Sequence, residues 1–278
     1  MRVFISVDME GITAVTDPDD VLPDGSDYER GRRFMTHDAN AAIQGAFDGG
    51  ATEVLVNDSH WTMRNLLIEQ LDPRARLIKG FHKPMCMVQG LDGAFDAAVF
   101  VGYHACAGTE GGVLNHTLLG KEVQNLLFDG QPLGETRLNA LLAGHYGVPV
   151  AFVAGDTAVC AEAVRVLGQD LETYAVKDGI DMFTAECFHP EVTAKGIREG
   201  VARALRRKRE PHQSEGPYTF TFEWNSTTIA STCELLPTVR KPTPRTTEFT
   251  TGDLPEAMRI TVAQLLLALQ VGQKSIYG

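Results

Sequence analysis

Basic residues are scarce in this chain relative to acidic ones. Its 278 residues include 25 lysines and arginines against 36 aspartates and glutamates, which gives a formal net charge of -11. A charge of this sign repels a phosphate backbone, so nucleic acid is not an expected partner. The dense basic run at residues 206–209 ends a predicted helix, where the helix dipole favours cations.

Signals for export and for membrane insertion are also missing. The five cysteines are odd in number, widely spaced and without a CxxC pair, which favours reduced thiols over disulfides or a cysteine zinc site. The N-terminus carries charges at Arg2 and Asp8 and therefore lacks the apolar run of a signal peptide. No stretch of the sequence suggests a membrane span. We therefore expect a cytoplasmic protein without a membrane partner.

The composition that is present is typical of a globular protein. Hydrophobic residues make up 44% and charged residues 22% of the chain, a balance unlike that of disordered proteins. At this length we expect one large α/β domain over residues 1–210 and a small α+β domain over residues 211–278. The polar stretch at residues 211–217 is interpreted as the linker between them.

Short β-branched runs alternate with helical stretches along the larger domain. This alternation is typical of a mostly parallel sheet with helices on its faces. The predicted strands are residues 3–7, 53–56, 97–102, 149–153 and 173–176, and the predicted helices are around residues 36–47, 135–145, 190–210 and 254–271. The Asp129-Gly130 step predicts an antiparallel hairpin over residues 123–133 that decorates this sheet.

Acids and histidines follow the predicted strands, where open parallel sheets usually bind their ligands. The first strand is followed by Asp8 and Glu10, the second by His60 and the third by His104. Carboxylates two residues apart in extended chain share a face, and a cation or protons must relieve their repulsion. Each residue alone also fits a structural role. Their convergence at one sheet edge nevertheless predicts a metal site of carboxylates and imidazoles, the usual ligands of zinc.

Three more residues are candidates for a role in this site. His116, just before the hairpin, fits a further ligand, a general base or a structural residue. Glu135 begins a predicted helix, where an acid is also favourable to the helix dipole. Lys177, just past the fifth strand, fits a site for phosphate or a substrate carboxylate, although a solvated lysine is the simpler interpretation. The remaining histidines, interpreted as structural or surface residues, are His37, His82, His145, His189 and His212.

Five motifs follow one another along residues 1 to about 190: Ser6-Val7-Asp8-Met9-Glu10-Gly11-Ile12, Asn57-Asp58-Ser59-His60, Gly102-Tyr103-His104-Ala105, His116-Thr117 and Gly134-Glu135. Together they resemble the motifs of the D-aminopeptidase family of zinc metallopeptidases. The resemblance implies two zinc ions per chain, with Asp8 bridging them and Glu10 completing one. It implies that His60, His104 and Glu135 hold the other ion. It also implies that His116 is catalytic, as a nucleophile or a general base.

The resemblance further implies a substrate class and an assembly. The substrates would be short peptides and amides, with a preference for D-residues at the N-terminus, and the chain would form a homo-oligomer, by resemblance a decamer. Trp61 departs from the family pattern, and its bulk beside His60 favours small first residues. Two other functions fit the same ligands: a two-metal hydrolase of other amides or phosphoesters, and a small-molecule binding protein without catalysis.

Overall fold

The computed structural model describes residues 1–272, which form two β-sheets and seven α-helices. Residues 273–278, the end of the predicted C-terminal domain, lie outside the described residues. The strands are, in chain order, β1 (Arg2–Val7), β2 (Glu53–Asp58), β3 (Ala75–Ile78), β4 (Ala97–Tyr103), β5 (Val123–Phe128), β6 (Gln131–Pro132), β7 (Val150–Asp156), β8 (Glu172–Asp181), β9 (Thr184–Cys187), β10 (Tyr218–Trp224), β11 (Arg240–Thr243) and β12 (Thr246–Thr251). The helices are α1 (Pro18–Val21), α2 (Tyr28–Asp48), α3 (Glu135–His145), α4 (Thr157–Leu167), α5 (Pro190–Ala204), α6 (Thr227–Cys233) and α7 (Leu254–Gly272).

The larger sheet is mostly parallel, which confirms the predicted fold class. Its strand order is β3-β2-β1-β4-β7-β8-β9, and β9 is the antiparallel strand at its edge. Successive residues of β1 point to opposite faces, because Ile5 packs in the same cluster as residues of α2 and α5, whereas Phe4 packs with residues of α3. Both faces of the sheet are therefore covered, which explains why its central strands are continuous apolar runs.

The smaller sheet is antiparallel and corrects one prediction. Its strand order is β11-β12-β10-β5-β6, so the hairpin of β5 and β6 pairs with a C-terminal strand and does not decorate the larger sheet. Phe220 of β10 lies opposite Phe128, and Phe222 lies opposite Leu126. All four side chains are buried. The hairpin needs a partner for its apolar face, and that partner is distant in sequence. The domain boundary at residue 210 stays a prediction, but this sheet uses strands from both sides of it.

Helix α7 is long and apolar enough to cross a membrane by length and composition alone, contrary to the sequence-based expectation. Its packing supplies another reason for this composition, since Met258 and Leu265 are buried in the same core as Trp224 of β10. Gln264 on the same helix accepts a hydrogen bond from the Thr247 hydroxyl at 2.7 Å. Contacts within the protein thus explain the buried part of α7, which is 39% of its apolar stretch. All five cysteines are free thiols, as expected, and the cytoplasmic location stays a prediction.

The predicted helices differ from the observed ones mainly at their ends. Helices α3 and α7 agree closely with the prediction, whereas α2 begins earlier than residue 36 and α5 ends at Ala204 instead of residue 210. The basic run at residues 206–209 therefore follows α5. Arg207 pairs with Glu172 at 3.1 Å, with most of the arginine side chain exposed. Arg206, Arg207 and Lys208 are exposed, as expected of a solvated surface segment, whereas Arg209 is mostly buried and pairs with Asp170 at 2.8 Å.

Gly11 allows the loop after β1 to lie directly against β4. A Cβ atom at this position would be 1.8 Å from the carbonyl oxygen of Tyr103. The N–H of Gly11 donates a hydrogen bond to the carbonyl of Gly102 at 2.8 Å. Any side chain here would force the two backbone segments apart. This close approach fixes the spacing between the ends of β1 and β4, where Asp8 and His104 are located.

Candidate metal centre

The predicted site residues lie together at one edge of the larger sheet. Strands β2, β1 and β4 are neighbours and parallel, so their carboxyl ends share this edge. The loop between β4 and β5 and the first residue of α3 approach it as well. The residues that the structure brings together here are Asp8, Glu10, His60, His104, His116 and Glu135.

The first group consists of Asp8, Glu10 and His60, whose ligand atoms lie within 4.8 Å of one another. His60 Nδ1 is 3.0 Å from Glu10 Oε2 and 3.4 Å from Asp8 Oδ1. His60 Nε2 is 2.9 Å from the carbonyl oxygen of Val21, to which it donates. This bond fixes the tautomer and the ring orientation, and it leaves Nδ1 free to face the carboxylates.

The second group consists of His104, His116 and Glu135, with the same limit of 4.8 Å between ligand atoms. Glu135 Oε1 is 3.3 Å from His104 Nε2 and 3.9 Å from His116 Nε2. The Nδ1 atoms of the two histidines bond to backbone carbonyls, those of Ala105 and Leu114. Both Nε2 atoms therefore face the group. The two rings stack with their centroids 4.0 Å apart.

Asp8 lies between the two groups. Its Oδ1 faces His60 in the first group, and its Oδ2 is 3.5 Å from His104 Nε2 in the second. The resemblance had placed His60 with His104 and Glu135, whereas in the structure His60 is grouped with Glu10. The strand order explains this difference. β1 lies between β2 and β4, so the histidines after β2 and β4 approach Asp8 from opposite sides.

Two atoms of the cluster have no hydrogen-bond partner within residues 1–272. They are Asp8 Oδ2 and His104 Nε2, and both are buried. His104 Nδ1 donates to a carbonyl, so Nε2 is the ring atom that faces Asp8 Oδ2, at 3.5 Å, and this atom offers a lone pair once its proton is displaced. A buried polar atom left unpaired costs about 1–3 kcal/mol. A cation between these atoms would satisfy both, so the residues present fit a metal ion.

The charges of the cluster depend on one another. Burial raises the pKa of Asp8 to about 8, and nearby Glu10 adds to the increase. Burial also acts to raise the pKa of Glu10, but the adjacent His60 outweighs it, and that pKa lies well below its usual value. Burial opposes the protonation of His104, yet Glu135 holds its pKa well above the usual value. Glu10 and Glu135 are thus charged beside the imidazoles, whereas Asp8 holds its proton more tightly, and a divalent cation can replace these protons.

Lys177 corrects the expectation of a solvated lysine. Its side chain is fully buried. Its ammonium donates to the carbonyl oxygens of Glu10 at 2.6 Å, Ile12 at 3.0 Å and Val15 at 2.5 Å. These three bonds use all its donors, so it has none left for a phosphate or a substrate carboxylate. Lys177 instead holds the loop that carries Glu10. The sequence predicted a position just past the strand at residues 173–176, whereas Lys177 lies within β8, and the direction of its side chain was not visible.

A polar network behind the metal centre was not identified from the sequence. The Tyr103 hydroxyl donates to Ser6 Oγ at 2.8 Å, and Ser6 Oγ is 2.7 Å from Ser59 Oγ. Asn139 of α3 donates to the Tyr103 oxygen at 3.1 Å. Ser59 and Tyr103 directly precede two of the predicted ligands. The network therefore ties together three strand ends and α3. The sequence did contain a signal for this network, namely polar residues such as Ser6 within otherwise apolar runs.

The centre lies in a cavity of about 890 Å³, a volume in the range of small-molecule sites. One wall is formed by α7, including Val262 and Leu266, and another by the loops that carry Trp61 and His82. His82, interpreted from the sequence as a structural or surface residue, lines the cavity. Trp61 and His82 have positive φ angles of 42° and 66°. Such backbone strain persists at functional sites when surrounding contacts enforce it.

The site consists of buried carboxylates and imidazoles that fit metal ions. It lies at the carboxyl edge of a parallel sheet and opens to a cavity. These features define a metal-dependent enzyme. The family model described as D-aminopeptidase, of the M55 peptidases, matches residues 1–263. The chain belongs to the D-aminopeptidase family.

Two comparisons cover almost the whole chain. The D-aminopeptidase of Bacillus subtilis (strain 168) is 39% identical over 275 residues, which are 97% of this chain and 98% of the relative. The solved structure of the Zn-dependent D-aminopeptidase DppA from Bacillus subtilis, described as a self-compartmentalizing protease, superposes with a TM-score of 0.93. It is 37% identical, and the match covers 100% of both chains.

Removal of the Asp8 carboxylate is expected to weaken cation binding in both groups, because each group uses one of its oxygens. In Asp8→Ala, titration calorimetry with Zn²⁺ should show affinity lowered by about tenfold or more at each site. Asp24→Ala, which removes an exposed acid that is not part of either group, is the control and should bind as the unaltered chain does. Unchanged affinity at either group would show that Asp8 does not join them.

Proposed function

We propose that this chain is a zinc-dependent aminopeptidase that removes N-terminal residues, preferentially D-residues, from short peptides and amides. The observation that carries the proposal is the position of Asp8, whose two carboxylate oxygens face two separate ligand groups at the base of a cavity. The relatives described as D-aminopeptidase and as Zn-dependent support the same activity.

The ligand atoms favour zinc. Carboxylates and imidazoles in small buried groups are its typical donors. We infer two ions per chain, one held by Asp8, Glu10 and His60, the other by Asp8, His104 and Glu135. When bound, zinc polarises a carbonyl group and lowers the pKa of water towards neutrality. The protein's own part is to hold the carboxylates in place and to present the substrate carbonyl from the cavity.

His116 is the residue of the cluster best placed to exchange protons with a substrate. Its side chain is 19% exposed, whereas that of Glu10 beside it is 8% exposed and that of His104 is 1% exposed. Burial lowers the pKa of His116, and the adjacent His104 lowers it further, so its imidazole is neutral near pH 7. A neutral imidazole whose Nδ1 donates to Leu114 can accept a proton at Nε2. We therefore assign His116 as a general base rather than a ligand.

His116→Ala should lower kcat by about two or more orders of magnitude, in line with loss of an acid–base group. Zinc content and the melting temperature should stay close to those of the unaltered chain, since its side chain is the most exposed of the six. Elemental analysis and thermal unfolding measure these quantities on the same preparation. A loss of about one zinc per chain would instead make His116 a ligand, an alternative that its place in the second group allows.

A substrate panel tests the activity itself. With D- and L-alanine p-nitroanilides, D- and L-alanyl dipeptides, glycyl amides and a phosphomonoester, we expect hydrolysis of the D-alanyl and glycyl compounds. Trp61 lines the cavity beside His60 with 43% of its surface exposed, and its bulk favours small first residues. Activity on the phosphoester alone would support a different two-metal hydrolase, and binding without turnover would support a small-molecule binding protein. A clear preference for L-substrates would contradict the proposed stereochemistry.

We also propose that the chain forms a homo-oligomer, with the decamer as the specific assembly. The relative described as self-compartmentalizing supports self-association. Large apolar side chains are exposed next to one another in sequence at the turn between β8 and β9, with Ile180 at 66%, Met182 at 37% and Phe183 at 52%. Exposed apolar surface of this kind is typical of contacts between subunits. Light scattering at micromolar concentration should give a mass of several chains, and a mass near 30.3 kDa would contradict any assembly.

A further inference from the structure

The cavity contains positive charge that the metal centre does not use. Its acidic wall residues are Asp8, Glu10 and Glu135, all of them in the metal centre. Its lysine and arginine side chains are those of Arg64, Lys83 and Arg259. In a chain with a net charge of -11, three cations in one cavity require an explanation. The contacts of each cation show which of them is available to a ligand.

Lys83 is fully engaged, and Arg259 has an ionic partner near the surface. The Lys83 ammonium is buried and donates to the carbonyl oxygens of Asp58 at 2.5 Å and Ile78 at 3.3 Å. Arg259 lies 3.7 Å from the carboxylate of Asp253. Within the described part of the chain, the Arg64 side chain forms neither an ion pair nor a hydrogen bond, and the residue is exposed. Arg64 is therefore the cation that is free to bind.

The backbone that carries Arg64 is fixed by its neighbours. The backbone N–H groups of Asn65 and Leu66 donate to Asp58 Oδ2 at 2.6 and 2.7 Å. The N–H of Met63 donates to the carbonyl of His60 at 2.7 Å. Met63 has a φ angle of 54°, a strained value that such contacts must maintain. The loop thus presents Arg64 at a set position four residues after a metal-centre histidine, at the wall of the same cavity.

We infer that Arg64 binds the C-terminal carboxylate of a dipeptide whose scissile carbonyl lies at the metal centre, an inference that rests on the proposed aminopeptidase function. A guanidinium matches a carboxylate with two parallel hydrogen bonds, and this pairing is strengthened where walls are apolar. A fully extended dipeptide spans about 7 Å, a length that a cavity of about 890 Å³ can hold. The enzyme therefore distinguishes dipeptides with a free carboxylate from the corresponding dipeptide amides.

The test compares two substrates that differ only at this group: an alanyl-alanine dipeptide and its C-terminal amide, of whichever hand the zinc-loaded enzyme hydrolyses. For the unaltered chain, KM should be lower for the free acid. In Arg64→Gln, KM for the acid should rise by about tenfold or more, with KM for the amide changed less than about twofold. Arg64→Lys should restore part of the difference. Arg33→Gln, an exposed arginine on α2 outside the cavity, is the matched control and should leave both KM values unchanged.

Each other outcome overturns the inference. If the unaltered chain hydrolyses acid and amide with equal KM values, it has no site that recognises the carboxylate. The proposed aminopeptidase function would be unaffected by that result. An equal rise of both KM values in Arg64→Gln would show a general effect on the loop. Loss of the discrimination in Arg259→Gln but not in Arg64→Gln would place the carboxylate on α7. Hydrolysis of neither compound, in either hand, would overturn the proposed function and the Arg64 site together.

Discussion

Repulsion among three buried carboxylates is the constraint on which the rest of this structure depends. Asp8, Glu10 and Glu135 are each at most 6% exposed. Two such charges 4 Å apart repel each other by about 4 kcal/mol at an effective dielectric constant of 20. This repulsion is large compared with the free energy of unfolding of a typical protein, which is roughly 5–15 kcal/mol. A proton, as at Asp8, or adjacent positive charge must therefore relieve the repulsion. The imidazoles of His60 and His104 lie next to the carboxylates. They supply positive charge when they are protonated, and they act as ligands when a cation supplies it.

The surrounding fold holds these side chains against that repulsion through contacts outside the cluster. Lys177 fixes the loop that carries Glu10 through three backbone carbonyls. The hydroxyls of Ser6, Ser59 and Tyr103 connect the strand ends beneath the site. Gly11 permits the close approach of β1 and β4. Groups around the ligands are as important as the ligands, because a metal site requires its donors to be positioned before the ion binds.

The C-terminal part of the chain contributes to the site itself. Helix α7 packs on the smaller sheet through its buried face, and other residues of the same helix line the cavity above the metal centre. The smaller sheet in turn includes β5 and β6, which precede α3 and its Glu135 in sequence. Helix α7 therefore contacts the second sheet on one face and lines the cavity on another. The same sheet is joined through the chain to α3, which carries a ligand. The C-terminal segment therefore also shapes the cavity at the metal centre.

The sequence by itself determined the fold class and the residues that gather at the sheet edge. Apolar runs that alternate with helical stretches are local patterns, and Asp8, Glu10, His60 and His104 directly follow such runs. Only the tertiary structure decided how these residues are grouped, since the grouping follows from strand order, which local periodicity does not record. For the same reason, the sequence did not show that Lys177 is buried, that the β5–β6 hairpin pairs with a C-terminal strand, or that α7 forms a wall of the cavity. Each depends on contacts between segments far apart in the chain, whose packing overrides local preference.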